Sequence, residues 1–318
     1  MASIDQPGGQ ALRTPLDEAT AGLWAIAALG RLAESGTLTR LSERAQPLED
    51  PVELADARLL AAFGLLEPAN GGFRVPADLA DGPALTAAAA SAFSRTHLMQ
   101  AIAHTRGQPA GWQTGDGAVL LAQGRASAHF AAVIDERLLP RMPEARAALE
   151  SGRGSFLDVG VGVAALSISV AERFPGTRAV GLDVLPAALD IARTQIAVAG
   201  LRDAVELRLE SVADLTDEAA FDLAWVPQMF IPPAALDAGL GRVRSALRPG
   251  GWVILALPGH DDADDGGHVT AYQSLFATTL GGGPMSVEQG RALLARHRYL
   301  DGGVARAPQP LLLAQRGS

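Results

Sequence analysis

An acidic residue followed by two closely spaced glycines is the part of this sequence best suited to hold a ligand. Asp158 ends an apolar run, Gly160 and Gly162 follow, and small residues then begin a helical pattern. Glycines let the backbone approach a ligand where a Cβ atom would clash, and the helix start offers N–H groups without intrahelical partners. The spacing predicts a strand, a tight turn and a helix that together bind a nucleotide-like cofactor.

A second acid, Asp183, ends the next apolar run, about twenty residues after the glycines, where nucleotide-binding folds place a ribose ligand. One carboxylate can accept hydrogen bonds from both hydroxyls of a ribose. Asp183 therefore predicts an adenosyl or dinucleotide cofactor without distinguishing between the two. Asp158 does distinguish them, because a carboxylate at the mouth of the turn repels a pyrophosphate and suits an ammonium or sulfonium. The pattern favours a cationic ligand, and a dinucleotide oxidoreductase is the weaker alternative.

The elements that must position these residues begin after a polar linker at 150–154. Strands and helices alternate from there, which predicts βαβ crossovers and ligand binding at the carboxyl ends of the strands. The predicted strands are 155–159, 178–182, 204–209, 221–226 and 251–257, with helices at 164–174, 186–199 and 234–247 and a closing antiparallel pair at 304–306 and 310–315. The expected fold is α/β, with a doubly wound, mostly parallel seven-stranded sheet.

The N-terminal residues 1–82 predict a separate, mainly helical unit. Three helical patterns, at 16–34, 37–45 and 51–63, precede a hairpin whose turn is Asn70-Gly71-Gly72, which together are typical of a winged-helix-like domain. DNA binding is the obvious function of such a unit. However, the candidate recognition segment 51–59 carries two acids and one arginine, so packing or dimerisation is the preferred interpretation.

Residues 83–150 predict a helical linker and substrate lid, followed by a third domain at 151–318. The last helix of the linker is expected at 118–139, ending at Pro140. Trp112 lies in this segment and is a candidate pocket residue, with ordinary core packing as the alternative.

Composition narrows the possible partners. The chain has 318 residues, a net charge of −9 and no cysteine, so a basic nucleic-acid-binding surface, disulfides and thiolate chemistry are not expected. No apolar run has the length of a membrane span, and Met1–Pro15 lacks the pattern of a signal peptide. The expectation is a cytoplasmic protein that acts on a small molecule.

Taken together, the motifs resemble the class I S-adenosylmethionine-dependent methyltransferases. The resemblance is carried by 157–164 (LDVGVGVA), Asp183, 221–225 (FDLAW) and 247–252 (LRPGGW). The N-terminal unit also looks like that of the small-molecule O-methyltransferases, where it implies a homodimer. Two positions depart from the family pattern: Ala164 replaces the third glycine of the motif, and Ser211 stands where an acid is common.

The resemblance implies S-adenosylmethionine as the cofactor and a role for each matching residue. Asp158, Gly160 and Gly162 would border its methionine part, and Asp183 would hold the ribose. The other implied contacts are Val184 on the adenine, Ser211 and Val212 at the adenine edge, and Trp225, Val226 and Pro227 near the sulfonium.

Catalysis is where the sequence departs furthest from the resemblance. O-methyltransferases of this subgroup carry a histidine base shortly after the fourth strand, but residues 227–233 contain no titratable side chain. Methyl transfer can proceed by alignment in a dry pocket, or a histidine elsewhere can act as the base. His97 and His268 are the first candidates for that base, and a structural or surface histidine is the preferred alternative for each. The residues expected to face the substrate are Trp112, Gln228, Met229, Phe230, Tyr272 and Phe276. Core packing is the alternative for Tyr272 and Phe276.

The acidic cluster between His260 and His268 does not predict a metal site. It fails the calcium-loop pattern, because Ala263 occupies the third position and no glutamate closes the loop. A solvated loop is the preferred interpretation, and no metal is expected. The alternatives to a methyltransferase that remain open are a relative that binds the cofactor for a non-methylating reaction and a winged-helix regulator that binds DNA.

Overall fold

The computed structural model describes residues 15–79, 115–258, 268–306 and 309–317, and only the backbone of 15–20 and 268–273. His97, Trp112 and the whole acidic cluster 261–267 lie outside these residues. The chain forms two compact units, Met1–Ala101 and Ile102–Ser318. Within the described residues, no helix is both long and apolar enough to cross a membrane.

The N-terminal unit contains the elements that its sequence predicts. They are the helices α1 (Pro15–Glu34), α2 (Thr37–Glu43) and α3 (Pro51–Ala62) and the antiparallel strands β1 (Glu67–Ala69) and β2 (Gly72–Arg74). Asn70 and Gly71 make the turn with φ angles of 49° and 76°, the left-handed conformation that this residue pair supplies. Asp50 caps α3 by accepting hydrogen bonds from the N–H groups of Val52 and Glu53.

The second unit begins with helices that pack on the sheet. They are α4 (Gly117–Ala128), α5 (Phe130–Val133), which continues through a π turn (Ile134–Leu138) and a 3-10 turn (Leu139–Arg141), and α6 (Pro143–Glu150). The prediction of one continuous helix over 118–139 was therefore wrong. The N–H of Leu139 bonds to the carbonyl of Ile134, five residues back, and Pro140 has no N–H with which to continue a regular ladder.

A seven-stranded sheet forms the centre of this unit and confirms the predicted fold class. The strands are β3 (Ser155–Val159), β4 (Arg178–Asp183), β5 (Val205–Leu209), β6 (Phe221–Pro227), β7 (Leu247–Ala256), β8 (Tyr299–Arg306) and β9 (Pro310–Arg316). Their order is β5-β4-β3-β6-β7-β9-β8, and only the pairs that include β9 are antiparallel. The strand order reverses between β3 and β6, and such a switch point places a ligand crevice at the carboxyl end of β3.

Helices cover both faces of the sheet. They are α7 (Ala165–Arg173), α8 (Pro186–Val198), α9 (Pro233–Ala246) and α11 (Val287–Arg296), whereas α10 (His268–Leu280) contacts the turn Gln228–Phe230 after β6. Neighbouring residues of β3 point to opposite faces, so Phe156 belongs to one core cluster and Leu157 to the other. Strand β7 begins at Leu247 rather than at the predicted Gly251, because Leu247 already pairs with Phe221.

Candidate functional site

The turn after β3 is wound into a conformation that favours glycine. Gly160, Gly162 and Ala164 have φ angles of 68°, 54° and 64°. Ala164 thus adopts the left-handed conformation in which a third glycine would be unstrained, and its methyl group is fully buried. The N–H of Val161 donates to the carbonyl of Leu182 at 2.9 Å, which holds the turn against the end of β4.

Two further glycines let neighbouring elements close on this turn. A Cβ atom at Gly181 on β4 would lie 2.4 Å from Val161 Cγ2, and one at Gly124 on α4 would lie 2.3 Å from Val163 Cγ2. Both distances are too short for a side chain, so only glycine permits these approaches. Helix α4 therefore packs directly over the turn and helps to shape it.

The carboxylate of Asp183 connects the turn to the strand beside it. Its Oδ2 accepts a hydrogen bond from the N–H of Gly162 at 2.8 Å, and its Oδ1 accepts one from the N–H of Leu185 at 2.9 Å. Burial raises the pKa of Asp183, while these backbone hydrogen bonds act in the opposite direction. The two oxygens of a carboxylate together offer about four acceptor positions, so Asp183 can hold the turn and still accept a hydrogen bond from a ligand.

Asp158 is a buried carboxyl group on the same face of the sheet as Phe156. It is 2% exposed, and its Oδ2 accepts a hydrogen bond from the Ser167 hydroxyl at 2.7 Å. Burial raises the pKa of Asp158 to about 7, and the nearby negative charge of Asp183 adds to the effect. A cation bound at the turn would favour the ionised form of Asp158, so the site is suited to a positively charged ligand.

The residues predicted to contact the adenine differ in exposure and in whether the side chain or the backbone can meet a ligand. Val184 is 61% exposed directly after Asp183 and is accessible to a flat ring. The Ser211 hydroxyl accepts a hydrogen bond from the N–H of Ala213 and caps the short turn Val212–Asp214. The Val212 side chain is buried against Gly239 of α9, where a Cβ atom would lie 2.6 Å from Val212 Cγ1. A ligand would therefore meet Val212 through its backbone.

The three residues predicted near the sulfonium also differ in orientation. Trp225 lies opposite Asp158 in the sheet register, and its ring packs on Phe130 with centroids 4.8 Å apart. Val226 is buried on the other face of the sheet. Pro227 lies beside the glycine turn, since a Cβ atom at Gly160 would be 3.7 Å from Pro227 Cγ.

Comparison with known proteins identifies the family of this chain. Residues 156–251 match the model of a methyltransferase domain. The chain is 31% identical over 166 residues to demethylmenaquinone methyltransferase of Thermus thermophilus, an alignment that covers 51% of this chain and 71% of that protein. The chain belongs to the class I S-adenosylmethionine-dependent methyltransferases. Its methyl donor is S-adenosylmethionine.

Solved structures extend the likeness of fold to nearly the whole methyltransferase. The S-adenosylmethionine-dependent methyltransferase SibL has a TM-score of 0.60 at 21% identity, covering 96% of this chain and 99% of that one. Human N-acetylserotonin methyltransferase, solved in complex with S-adenosylmethionine, has a TM-score of 0.55 at 17% identity over 100% of both chains. These structures share the fold with the methyltransferase in both its N-terminal and C-terminal parts.

The structure describes the side chains of only some of the predicted substrate-facing residues. Gln228 and Met229 are buried in the 3-10 turn Gln228–Phe230, and Phe230 is half-buried in the same turn. Phe276 is half-buried on α10. The side chains of His268 and Tyr272 lie outside the description of α10, and His97 and Trp112 lie outside the described residues altogether. The assignment of His97 or His268 as a base therefore stays a prediction.

Residues that the sequence reasoning missed complete the site of the methyltransferase. Ser167 bonds to Asp158, Phe130 packs on Trp225, and Gly124 admits α4 to the turn. The sequence pattern could have indicated Gly124, because an isolated glycine within a helical pattern is typical of a helix that packs closely on a neighbouring element. No comparable pattern indicates Ser167 or Phe130, because tertiary packing determines which partners they contact.

Proposed function

We propose that this methyltransferase transfers the methyl group of S-adenosylmethionine to an oxygen or nitrogen atom of a small, aromatic acceptor. The observation that carries the proposal is the glycine turn 160–164, held by Asp183 and backed by the buried carboxyl group of Asp158. This arrangement combines an acceptor for ribose hydroxyls with a carboxyl group that a cation would ionise. It fits an adenosyl cofactor with a positive charge better than a dinucleotide.

The residues of the chain bind and orient the cofactor. Asp183 would accept the ribose hydroxyls, and Gly160 and Gly162 would let the backbone approach the methionine part beside Asp158. Val184 would cover the adenine, and Pro227 would close the turn side of the site. Bound S-adenosylmethionine supplies an electrophilic methyl group on its sulfonium.

The segment after β6 supports transfer by alignment rather than by a strong local base. Residues 227–233 contain no titratable side chain, and Gln228, Met229 and Ile231 are buried. Holding the acceptor atom in line with the methyl group in a water-excluded site can lower the barrier by about 7–11 kcal/mol. The suitable acceptors are phenols and amines whose nucleophilic atom is already deprotonated or weakly basic, with His97 or His268 as proposed additional bases.

A small-molecule acceptor is supported by the relatives and by charge. The relatives are named for demethylmenaquinone and N-acetylserotonin, which are small molecules. On the predicted recognition helix α3, Asp56 is buried and engaged with Arg31, whose Nε lies 2.9 Å from Asp56 Oδ2. This helix therefore uses its acid for internal structure. Because the chain carries a net charge of −9, which disfavours polyanionic surfaces, we propose no nucleic-acid partner and no membrane partner.

We also propose a homodimer that forms through the N-terminal unit. Helix α1 exposes two large apolar side chains in succession, Leu23 at 49% and Trp24 at 61%. A second copy that covers these side chains would remove apolar surface from water. The domain boundaries after residues 82 and 150 remain part of the proposal.

The test is methyl transfer from isotopically labelled S-adenosylmethionine to a panel of small phenols and aryl amines, followed by mass spectrometry. We expect at least one compound to gain a labelled methyl group at oxygen or nitrogen. Tight binding of the cofactor without any methylated product across the panel would instead favour a non-methylating reaction, which the missing histidine base allows. A salt-sensitive complex with duplex DNA would favour the regulator.

A further inference from the structure

A buried glutamine connects the carboxyl edge of the sheet to the loop that follows α10. Gln228 is fully buried directly after β6. Its Nε2 donates hydrogen bonds to the carbonyl oxygen of Gly282 at 2.8 Å and to that of Gly283 at 3.1 Å. The side chain therefore joins two segments that are more than fifty residues apart in sequence.

The backbone of the same loop is fitted to this glutamine. The N–H of Gly282 donates to the carbonyl of Met229 at 3.0 Å, and the N–H of Gly283 donates to the carbonyl of Ala277 in α10 at 2.9 Å. A Cβ atom at Gly282 would lie 2.2 Å from the carbonyl oxygen of Gln228. Only glycine allows this contact. The loop is therefore held to the segment after β6 by backbone hydrogen bonds and by a close contact between the two backbones.

The amide of Gln228 makes these bonds at a cost to the fold. Its Oε1 is buried and has no hydrogen-bond partner among the described residues. Rotating the amide would place Oε1 against the two glycine carbonyls, so the network fixes its orientation. A buried acceptor without a partner is destabilising, and a leucine would fill similar space without that cost. The two hydrogen bonds from Nε2 therefore indicate a role for the polar side chain beyond core packing.

The position of Gln228 between the cofactor turn and α10 indicates this role. Pro227, the preceding residue, lies beside Gly160 of the cofactor turn. The loop 281–283 ends α10, the helix that carries Tyr272 and Phe276. The glutamine thus ties the predicted acceptor-facing helix to the strand end that adjoins the cofactor.

We propose that Gln228 is a positioning residue, which fixes the loop 281–283 and the end of α10 and so sets the acceptor pocket. The inference rests on the proposed function for the role of α10. Both amide hydrogens of Gln228 are already donated within the protein, which favours a positioning role. Direct contact of Gln228 with the substrate stays a prediction.

The test is the variant Gln228→Leu, with Gln315→Leu as a matched control. Gln315 makes the same kind of bond, from Nε2 to the carbonyl of Gly250 at 3.0 Å, at the opposite end of the parallel strands. In Gln228→Leu we expect the backbone amides of Gly282 and Gly283 to exchange hydrogen about tenfold faster, as befits two lost hydrogen bonds. For the panel compound with the highest turnover, KM should rise about tenfold, while the Kd of S-adenosylhomocysteine changes less than about twofold. Gln315→Leu should change none of the three.

Unchanged exchange and unchanged KM in Gln228→Leu would overturn the inference. A loss of S-adenosylhomocysteine affinity as large as the rise in KM would also overturn it, since Gln228 would then act on the cofactor turn. Gly282→Ala displaces the loop from the other side and decides the question if the leucine variant does not fold, with the same rise in KM expected. If the unaltered protein methylates nothing in the panel, the proposed function fails, while the exchange of Gly282 and Gly283 still tests the attachment of the loop.

Discussion

Two carboxyl groups dominate the chemistry of the site at the scale of single residues. The sequence predicted both of them, because an acid at a strand end followed by glycines has a local signature. Their partners could not be predicted in the same way. Ser167 belongs to a helix that follows the turn, and the bond between Asp183 and Gly162 depends on how two strands pair. Such contacts follow from tertiary packing, which the local pattern does not contain.

The first prediction concerns Asp183. Asp183→Ala should weaken the binding of S-adenosylmethionine by about 1.5–3 kcal/mol, because hydrogen bonds to a charged group are lost. It should also lower the melting temperature, since the N–H groups of Gly162 and Leu185 lose their acceptor. Calorimetry and thermal unfolding measure the two effects. The control is Asp190→Ala, which removes an exposed acid paired with Arg193 and should leave affinity unchanged. Full affinity in Asp183→Ala would refute the ribose assignment.

The second prediction concerns the pH dependence of the protein without cofactor. Burial raises the pKa of Asp158 to about 7, so the folded protein keeps this proton where an unfolded chain releases it, near a pKa of about 3.9. The folded state therefore binds more protons in this range, and stability falls as the pH rises from about 4 to 7, by up to about 1.4 kcal/mol per pH unit. Asp158→Asn should lack this decline. If the free energy of unfolding in urea depended on pH in the same way in both proteins, this would contradict the raised pKa of Asp158.

At the scale of elements, the sequence predicted the parallel strands and their helices to within a few residues. The run 155–159 and the glycine turn have strong local patterns, and the structure reproduces them. The break of the predicted helix 118–139 was missed, because a π turn has no sequence signature as clear as that of a glycine turn. The glycine-mediated packing of α4 on the turn was also missed.

The third prediction tests that packing. Gly124→Ala should destabilise the protein by about 1–2 kcal/mol, because the overpacking against Val163 exceeds the gain in helix propensity. It should also weaken the binding of S-adenosylhomocysteine, since Val163 belongs to the turn. Gly117→Ala is the control in the same helix. A Cβ atom there would lie 3.7 Å from Ile191 Cδ1, an ordinary contact. Equal effects of the two variants on stability and affinity would show that α4 does not shape the turn.

At the scale of the whole molecule, a methyltransferase unit is joined to a small helical unit whose first helix exposes two large apolar side chains. The likeness to solved methyltransferases extends over both parts of the chain, so the N-terminal unit belongs to the shared fold. No motif indicates the function of this unit, so its interactions are inferred from its exposed apolar side chains. Leu23 and Trp24 are the residues through which that surface can be tested.

The fourth prediction concerns the oligomeric state. We expect a dimer by light scattering coupled to size-exclusion chromatography. Trp24→Ser should shift the mass towards the monomer, because it removes a large exposed ring from the proposed interface. Val198→Ser is the control, since Val198 is 82% exposed on α8 of the other unit and should leave the dimer intact. A monomeric unaltered protein, or a dimer that Trp24→Ser does not weaken, would contradict the proposed interface.

We propose that the turn 160–164, with Asp158 and Asp183, binds a cationic adenosyl cofactor. The decisive measurement is calorimetric titration of the protein near neutral pH with S-adenosylmethionine and with NAD, repeated in buffers of different ionisation enthalpy. We expect S-adenosylmethionine to bind and to release a proton, because the cation ionises Asp158, and we expect the proton release to disappear in Asp158→Asn. Tight binding of NAD in the absence of S-adenosylmethionine binding would contradict it.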